Sequence, residues 1–327
     1  MPAEILLRRL ADGQCHSGER LARELDLTRA AIWKQVDKLR AWGLEVEALP
    51  GRGYRLRHPL DLIDRDALCA ALARDGACGR VEVHTELAST NRHLVEGARP
   101  TAGRLDVCLA EFQSEGRGRR GRPWRAPLAA CLCVSVGYSF AATPPELGAL
   151  SLAIGATVRT VIAELTKLEP QLKWPNDLVW RDAKLGGILV ELAAEAQGAC
   201  HVVAGVGINV RMPEALLGSI SDWPAGAVDL YRLTGGRPPT RTELAARLVR
   251  ALGRLFASYA DTGFGPYRDS WRRADYLRGK QVSLHAAGSE LQGTAAGIGD
   301  DGALLVELAS GAQHRAISGD VSVRTMA

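Results

Sequence analysis

The sequence predicts an α/β (α+β) protein built of three parts, and three observations support this prediction. Segments with apolar residues at helical spacing, two of them preceded by a capping residue, cover most of the first 42 positions. The middle of the chain combines one long apolar helical pattern with apolar runs of strand length. From about residue 276 only short alternating runs remain. We therefore expect domains over residues 1–60, 61–275 and 276–327.

The first part has the pattern of a winged helix-turn-helix. Ser17 and Thr28 each precede a group of apolar residues at helical spacing, as helix N-caps do. Residues 44–48 then alternate, and Pro50-Gly51-Arg52-Gly53 turns the chain toward a second short strand. The expected helices are residues 3–10, a helix after Ser17, and Arg29 to Trp42. Three helices followed by a hairpin predict a DNA-binding domain over residues 1–60.

The third helix and the hairpin turn carry the candidate DNA contacts. Residues 1–60 contain 11 Lys/Arg and 8 Asp/Glu, a surplus of 3 positive charges that favours nucleic acid. In such domains the third helix enters the major groove and the wing contacts the backbone. The alternative is a dimerisation or interaction module of the same fold. The candidate DNA-binding residues are Thr28, Arg29, Trp33, Lys34 and Arg52.

The second and third parts differ in their periodicity. A helix is expected after Pro144-Pro145 and to about Lys167, because apolar residues repeat on one face. Strands are expected at Leu132–Tyr138, Ile188–Leu192 and Val202–Asn209. The C-terminal runs, separated by Gly-Asp and Ser-Gly turns, predict a small SH3-like β-barrel. These runs are Gln281–His285, Leu291–Ile298, Ala303–Leu308, Arg315–Ile317 and Val321–Arg324.

Composition excludes several classes of protein. The 327 residues are 46% hydrophobic and 24% charged, as in globular proteins. The seven cysteines are scattered, form no C-x-x-C pair and are odd in number, so neither a zinc knuckle nor a disulfide framework is expected. Without a signal-like segment or a run of eighteen apolar residues, a cytoplasmic protein with reduced thiols and no membrane partner is expected.

The segment from Gly116 to Arg125 is the most informative in the chain. Five arginines are interspersed with glycines, and no acid balances them. Guanidinium groups bind carboxylate or phosphate oxygens in bidentate geometry, and glycines let the backbone approach a ligand closely. A ligand with both a carboxylate and phosphates would suit this segment. A solvated basic loop and a nucleic-acid contact are the alternatives.

Three further motifs accompany this loop: Ser89-Thr90-Asn91, Lys173-Trp174-Pro175-Asn176-Asp177, and Lys184-Leu185-Gly186-Gly187-Ile188-Leu189-Val190-Glu191. Together they resemble the biotin protein ligase family, in its form that carries a helix-turn-helix and represses biotin biosynthesis. The resemblance implies activation of biotin with ATP to biotinyl-5′-AMP, then transfer of biotin to a lysine of a carrier protein. Because two anions must meet, cations and positioning should dominate the catalysis.

The resemblance assigns a role to residues in each motif. Lys184, Arg119 and Asp177 would be catalytic, and Asp177 would also bind Mg²⁺. The biotin-binding residues would be Ser89, Thr90, Asn91, Gln113, Gly116, Arg117, Gly118, Arg119, Lys184, Gly187 and Gly205. The ATP or adenylate would contact Arg119, Arg120, Trp124, Asn176, Asn209, Trp223 and Arg324. From the residues alone, Lys184 could be a surface lysine, and Asn176 with Asp177 could serve only to shape a turn.

The resemblance also implies partners and leaves alternatives. The partners would be the biotin carboxyl carrier protein of acetyl-CoA carboxylase, operator DNA, and a second copy of the chain when the adenylate is bound. A lipoate or octanoate ligase shares this chemistry, and a biotin-sensing repressor without catalysis would retain the same pocket. Arg125 and Cys131 depart from residues common in the family, so loop closure or ligand stacking is expected to differ.

Overall fold

The N-terminal part of the computed structural model has the predicted elements. The structure describes residues 2–73, 78–196, 199–218, 223, 225–286, 289–317 and 322–325. Ser17 Oγ accepts from the backbone N–H of Arg20 at 3.5 Å, and Thr28 Oγ1 accepts from that of Ala31 at 3.2 Å, so both predicted caps are confirmed. The elements are α1 (Pro2–Leu10), α2 (Gly18–Glu24), α3 (Arg29–Ala41), β1 (Val46–Leu49) and β2 (Gly53–Leu56).

The central part is a seven-stranded sheet in the order β3-β4-β5-β9-β8-β7-β6. Its strands are β3 (Cys78–Leu87), β4 (Leu105–Gln113), β5 (Cys131–Phe140), β6 (Gln171–Lys173), β7 (Asp177–Trp180), β8 (Ala183–Ala196) and β9 (Ala199–Asn209). Strands β3 and β4 are parallel and the other neighbours are antiparallel. The three predicted strands are confirmed within β5, β8 and β9, each of which is longer than its apolar run.

Seven helices of the described chain surround this sheet: α4 (Arg65–Ala73), α5 (Thr90–Glu96), α6 (Leu150–Thr166), α7 (Glu214–Leu217), α8 (Leu230–Leu233), α9 (Arg241–Thr262) and α10 (Gly265–Arg273). The helix predicted after Pro144-Pro145 begins later than expected, at Leu150, after one 3₁₀ turn. Glu146 explains the delay, because its carbonyl accepts from Tyr259 Oη at 2.7 Å and its carboxylate from Phe264 N at 2.6 Å. These two hydrogen bonds hold the backbone at Glu146, ahead of α6, in a non-helical conformation.

One helical segment, Leu147–Thr166, is long and apolar enough to cross a membrane. Over half of that segment is buried inside the protein, and α6 packs against α9 and α10. A core helix of a globular domain has the same properties.

The C-terminal part is a five-stranded antiparallel sheet, as the alternating runs predict. Its strands are β10 (Gln281–Ala286), β11 (Ser289–Ile298), β12 (Leu304–Glu307), β13 (Gln313–Ala316) and β14 (Ser322–Thr325), in the order β13-β12-β11-β10-β14. Its inward side chains, among them Val282 and Val306, belong to the same hydrophobic core as the central sheet. Trp174 Nε1 donates to Gly302 O at 3.0 Å across this contact. The buried indole therefore ties the site-bearing β6–β7 turn to the C-terminal sheet.

Candidate active site

A buried polar corner lies where α5 begins against β4 and β5. Thr90 donates its backbone N–H to Gln113 Oε1 at 2.8 Å, and Ser89 caps the helix by accepting from a backbone N–H of its first turn. Ser135 Oγ, with no exposed surface, lies 2.7 Å from Thr90 Oγ1 and 2.6 Å from Asn91 Oδ1. Hydroxyl and amide groups so arranged can bind a ligand that offers a donor and an acceptor together.

Glycines form the floor beside this corner. A Cβ added to Gly205 would lie 2.2 Å from Asn91 Oδ1, and one added to Gly207 would lie 2.7 Å from carbons of the Trp124 indole. Gly187 pairs with Gly207 across β8 and β9. The glycines therefore let Asn91 and Trp124 lie directly on the sheet backbone, which no larger residue would allow.

The arginine-glycine segment is a loop closed by its own backbone. Trp124 N donates to Gly116 O at 2.8 Å, and Gly118 N donates to Arg122 O at 2.7 Å. A Cβ on Gly116 would approach Trp124 O to 2.4 Å, so the narrow neck requires glycine. Arg120 has φ 58° and ψ 32°, a left-handed conformation that turns the tip. Exposed guanidinium-bearing residues are Arg117, Arg120, Arg122 and Arg125, while Arg119 is half-buried.

Lys184 and Asp177 form an ion pair near the loop. Lys184 Nζ lies 2.7 Å from Asp177 Oδ1, and the side chains are only 20% and 19% exposed. The ring centroids of Trp124 and Trp223 lie 5.7 and 5.9 Å from Lys184 Nζ, and Lys173 Nζ lies 4.2 Å from the Trp223 ring. Burial lowers the pKa of Lys173, and the nearby Lys184 lowers it further, while Asp177 opposes the change. Two amines and one carboxylate thus make a cationic centre between two indoles.

Two asparagines hold the backbone at this centre. Asn176 Nδ2 donates to Ile188 O at 2.7 Å, which joins the turn before β7 to β8. Asn209 Nδ2, on a side chain with almost no exposed surface, donates to Lys184 O at 3.2 Å and to Val228 O at 3.1 Å. Both side-chain amides therefore fix the strand from which Lys184 projects.

The remaining site residues lie near this centre or on the C-terminal sheet. The backbone of Arg324 pairs with Ser283 in the C-terminal sheet, and its side chain lies outside the described part of the structure. Cys131 is buried, with Sγ 3.3 Å from Met212 Sδ, so this departure from the family packs beneath the site. Arg125 is exposed beyond the neck of the loop.

All five predicted DNA-contact residues are exposed in the N-terminal part. Arg29 and Trp33 are one helical turn apart on α3, with 75% of the Arg29 side chain and 54% of Trp33 exposed. Lys34 is exposed beside them, and Arg52 is exposed at the hairpin turn. Thr28 is itself exposed and caps α3. The helix side chains and the wing are therefore accessible to a large ligand.

Two residues of the site, Ser135 and Lys173, have no role that the sequence motifs predict. Ser135 lies inside the apolar run of β5. A hydroxyl group within such a run is the sequence feature that could have indicated a polar role for it. Lys173 is the first residue of the Lys173–Asp177 motif, and its amine lies over the Trp223 ring.

Comparison with known proteins agrees with this arrangement of parts. Residues 3–55 match a family described as an HTH domain, residues 86–209 match the biotin/lipoate A/B protein ligase family, and residues 278–324 match the biotin protein ligase C terminal domain.

Full-length relatives and a solved structure extend the comparison. The bifunctional ligase/repressor BirA of Salmonella typhimurium is 36% identical over 98% of this chain and 97% of its own length. The biotin--[acetyl-CoA-carboxylase] ligase of Mycobacterium tuberculosis is 33% identical over 78% of this chain and 92% of its own. The biotin protein ligase from Aquifex aeolicus in complex with biotin and ATP has a TM-score of 0.62 at 25% identity, covering 76% of this chain and 99% of that one. This chain therefore belongs to the biotin protein ligase family, in its bifunctional ligase/repressor group.

Proposed function

We propose that this protein joins biotin to a carrier protein in two steps and binds DNA as a repressor of biotin biosynthesis. In the first step a biotin carboxylate oxygen attacks the α-phosphorus of ATP, which forms biotinyl-5′-AMP and expels pyrophosphate. In the second step a lysine amine of the carrier attacks the carbonyl carbon, which forms an amide and expels AMP. The Lys184–Asp177 pair beside an arginine-rich loop is the observation that supports this chemistry best.

The cationic centre addresses the main obstacle, which is repulsion between the two reacting anions. Two unit charges 4 Å apart in a partly buried site repel by about 4 kcal/mol. Lys184 would lie between the carboxylate and the α-phosphate, and Arg119 and Arg120 would bind the remaining oxygens. The ion pair with Asp177 holds the Lys184 amine in place before the ligands arrive. Loop closure over the adenylate would keep out water that would hydrolyse it.

The polar corner would bind the ureido group of biotin, and the glycine floor would accept its apolar rings. Thr90, Asn91, Gln113 and Ser135 offer hydroxyl, amide and carbonyl groups within one buried network. The exposed arginines at the loop tip would bind phosphate. In this arrangement the biotin head group would lie away from the reacting carboxylate, as adenylate formation requires.

Asp177 is the residue we propose for Mg²⁺. Mg²⁺ is commonly held by one or two carboxylates together with substrate phosphates, and it would neutralise the charge of the departing pyrophosphate. The Asp177 side chain is 19% exposed and adjoins Lys184, so its carboxylate fits a metal site completed by ATP.

Transfer of labelled biotin to a purified carrier domain with Mg-ATP tests the ligase, run beside octanoate and lipoate. Lys184→Ala should abolish transfer, whereas Lys167→Ala, an exposed lysine at the end of α6, should not. Transfer of lipoate in place of biotin would assign the alternative ligase. Tight binding of biotin and ATP without any transfer would leave a sensor-repressor.

DNA binding is tested on the upstream region of the biotin biosynthesis genes. Arg29→Ala and Trp33→Ala should weaken binding without unfolding the chain, since both side chains are largely exposed. Arg23→Ala, an exposed arginine on α2, is the matched control. Equal affinity for all variants would assign the N-terminal part to protein contacts.

We also propose that the adenylate promotes a homodimer, that the protein acts in the cytoplasm, and that residues 1–60, 61–275 and 276–327 are its domains.

A further inference from the structure

Side chains of metal-ligand type lie on the outer strands of the central sheet, β3 and β4, and on α5. Of these elements, the proposed ligase site uses only the first residues of α5 and Gln113 at the end of β4. Glu82 and His84 are two residues apart on β3 and so share one face of the sheet. Cys108 on β4 is the register partner of Glu82, and His93 lies on α5, which covers this face. Ligand atoms of His84, His93 and Cys108 all lie within 4.8 Å of one another.

The Glu82 carboxylate connects the two imidazoles. Its Oε2 atom lies 2.9 Å from His84 Nε2 and 2.7 Å from His93 Nε2. The two rings meet edge to face with centroids 4.9 Å apart. Cys108, which is fully buried and packs against Leu94 and Val203, brings a thiol to the same point. Two imidazoles, a thiol and a carboxylate together are a common ligand chemistry for a metal ion.

We propose that Glu82, His84, His93 and Cys108 form a structural site for Zn²⁺. Mixed sulfur and nitrogen ligands favour zinc over Mg²⁺ or Ca²⁺, which prefer oxygen. A tetrahedral zinc ion brings its ligand atoms to about 3.4 to 3.8 Å from one another, given Zn–N and Zn–S distances of about 2.1 and 2.3 Å. The ligand atoms of His84, His93 and Cys108 lie within 4.8 Å of one another, and the two imidazoles are 32% and 35% exposed. Rotation of these side chains can therefore bring the three ligand atoms closer by about 1 Å.

Charge and placement agree with this assignment. The Cys108 thiol loses its proton to solvent when its sulfur binds zinc, and the thiolate with the Glu82 carboxylate then balances the two positive charges of the ion. His93 is on the short helix whose first residues, Thr90 and Asn91, belong to the polar corner. Zinc would therefore fasten α5 to β3 and β4, and it would stabilise the fold whatever the protein's enzymatic activity.

Metal binding by the full-length, chelator-treated protein tests the site. Zn²⁺ titration should give one tight site per chain and a higher Tm, and Co²⁺ should give a tetrahedral visible spectrum with a thiolate-to-cobalt charge-transfer band. Glu82→Gln should weaken Zn²⁺ binding about 10- to 100-fold, and His84→Gln and His93→Gln should weaken it by at least as much. Cys108→Ala should remove the charge-transfer band. His58→Gln, an exposed histidine, should change nothing.

Three outcomes would overturn the proposal. The first is a wild-type chain that binds no stoichiometric Zn²⁺. The second is unchanged binding in the two histidine variants, whose partly exposed positions should leave the fold intact. The third is loss of the cobalt band in Cys131→Ser but not in Cys108→Ala, which would move the metal to the buried Cys131–Met212 contact.

Discussion

Replacing Gly205 by alanine tests the polar corner through a single methyl group. The added Cβ would lie 2.2 Å from Asn91 Oδ1 and 2.9 Å from Asn91 Cγ. Ordinary contact of such atoms begins near 3.4 Å, so the Asn91 side chain must retreat by about 1 Å. Asn91 Oδ1 now lies 2.6 Å from Ser135 Oγ, and after the retreat this separation exceeds hydrogen-bonding distance.

The loss of stability in Gly205→Ala has two sources, the broken Asn91–Ser135 hydrogen bond and the crowding by the added methyl group. An unsatisfied buried polar group costs about 1–3 kcal/mol, and an extra methyl group in a packed site costs about 1–3 kcal/mol more. We expect the free energy of unfolding to fall by about 2–6 kcal/mol. If Asn91 binds the ureido group, biotin binding loses about 1–3 kcal/mol, which is roughly a 5- to 150-fold rise in the KM for biotin. The KM for ATP should stay nearly constant, because Lys184 and the loop are unchanged.

Urea unfolding and steady-state adenylation measure both effects. Gly148→Ala is the matched control, since its Cβ would meet nothing within 4 Å. The double variant Gly205→Ala/Asn91→Ala should recover part of the stability, because removing the Asn91 amide makes room for the methyl group. Stability equal to that of Gly148→Ala would show that the predicted collision is absent. A destabilised variant with an unchanged KM for biotin would instead remove this corner from the biotin site.

Three further predictions concern buried polar groups. Glu111→Ala should lower the free energy of unfolding by about 3–5 kcal/mol, because it leaves the fully buried Arg241 guanidinium without its carboxylate; a loss under about 1 kcal/mol in urea unfolding would contradict this. Burial raises the pKa of Asp275 to about 6, above the unfolded value near 3.9, so the folded state binds the proton more tightly and stability should fall as pH rises from about 4 to 6. Asp275→Asn should remove that decline and raise the Tm at pH 7, and an unchanged pH profile would refute it. Ser135→Ala should raise the KM for biotin about 5-fold or more and leave kcat nearly constant, and a selective fall in kcat would contradict its place in the biotin corner.

Tertiary contacts decided the parts of the fold that local patterns do not describe. Strands β6 and β7 are only three and four residues long, too short to show a periodic pattern. They form because β6 pairs with β7 and β7 pairs with β8. The delayed start of α6 depends on bonds from Tyr259 and Phe264, which lie more than a hundred residues further along the chain. Neither the two short strands nor the late start of α6 can be predicted from the residues of the segment itself.

The candidate site likewise combines motifs that the sequence shows with contacts that only the fold creates. The motifs around Lys184 and Asp177 could be identified from the chain, but the 2.7 Å ion pair arises from the register of β7 and β8. The cysteine and histidine spacing predicted no zinc site, because Cys108 meets His84 and His93 only through the pairing of β3 with β4 and the packing of α5. Ligands brought together by a sheet leave no fixed spacing in the sequence.

The α/β class, the helix caps at Ser17 and Thr28, and the family to which the motifs belong could all be predicted from the chain alone. Those features depend on residues close together in the chain, where capping, alternation and motif spacing act directly. The structure alone decided which strands pair, which glycines lie under Asn91 and Trp124, and which charges meet. These depend on contacts between distant segments, and only the packed core fixes their distances.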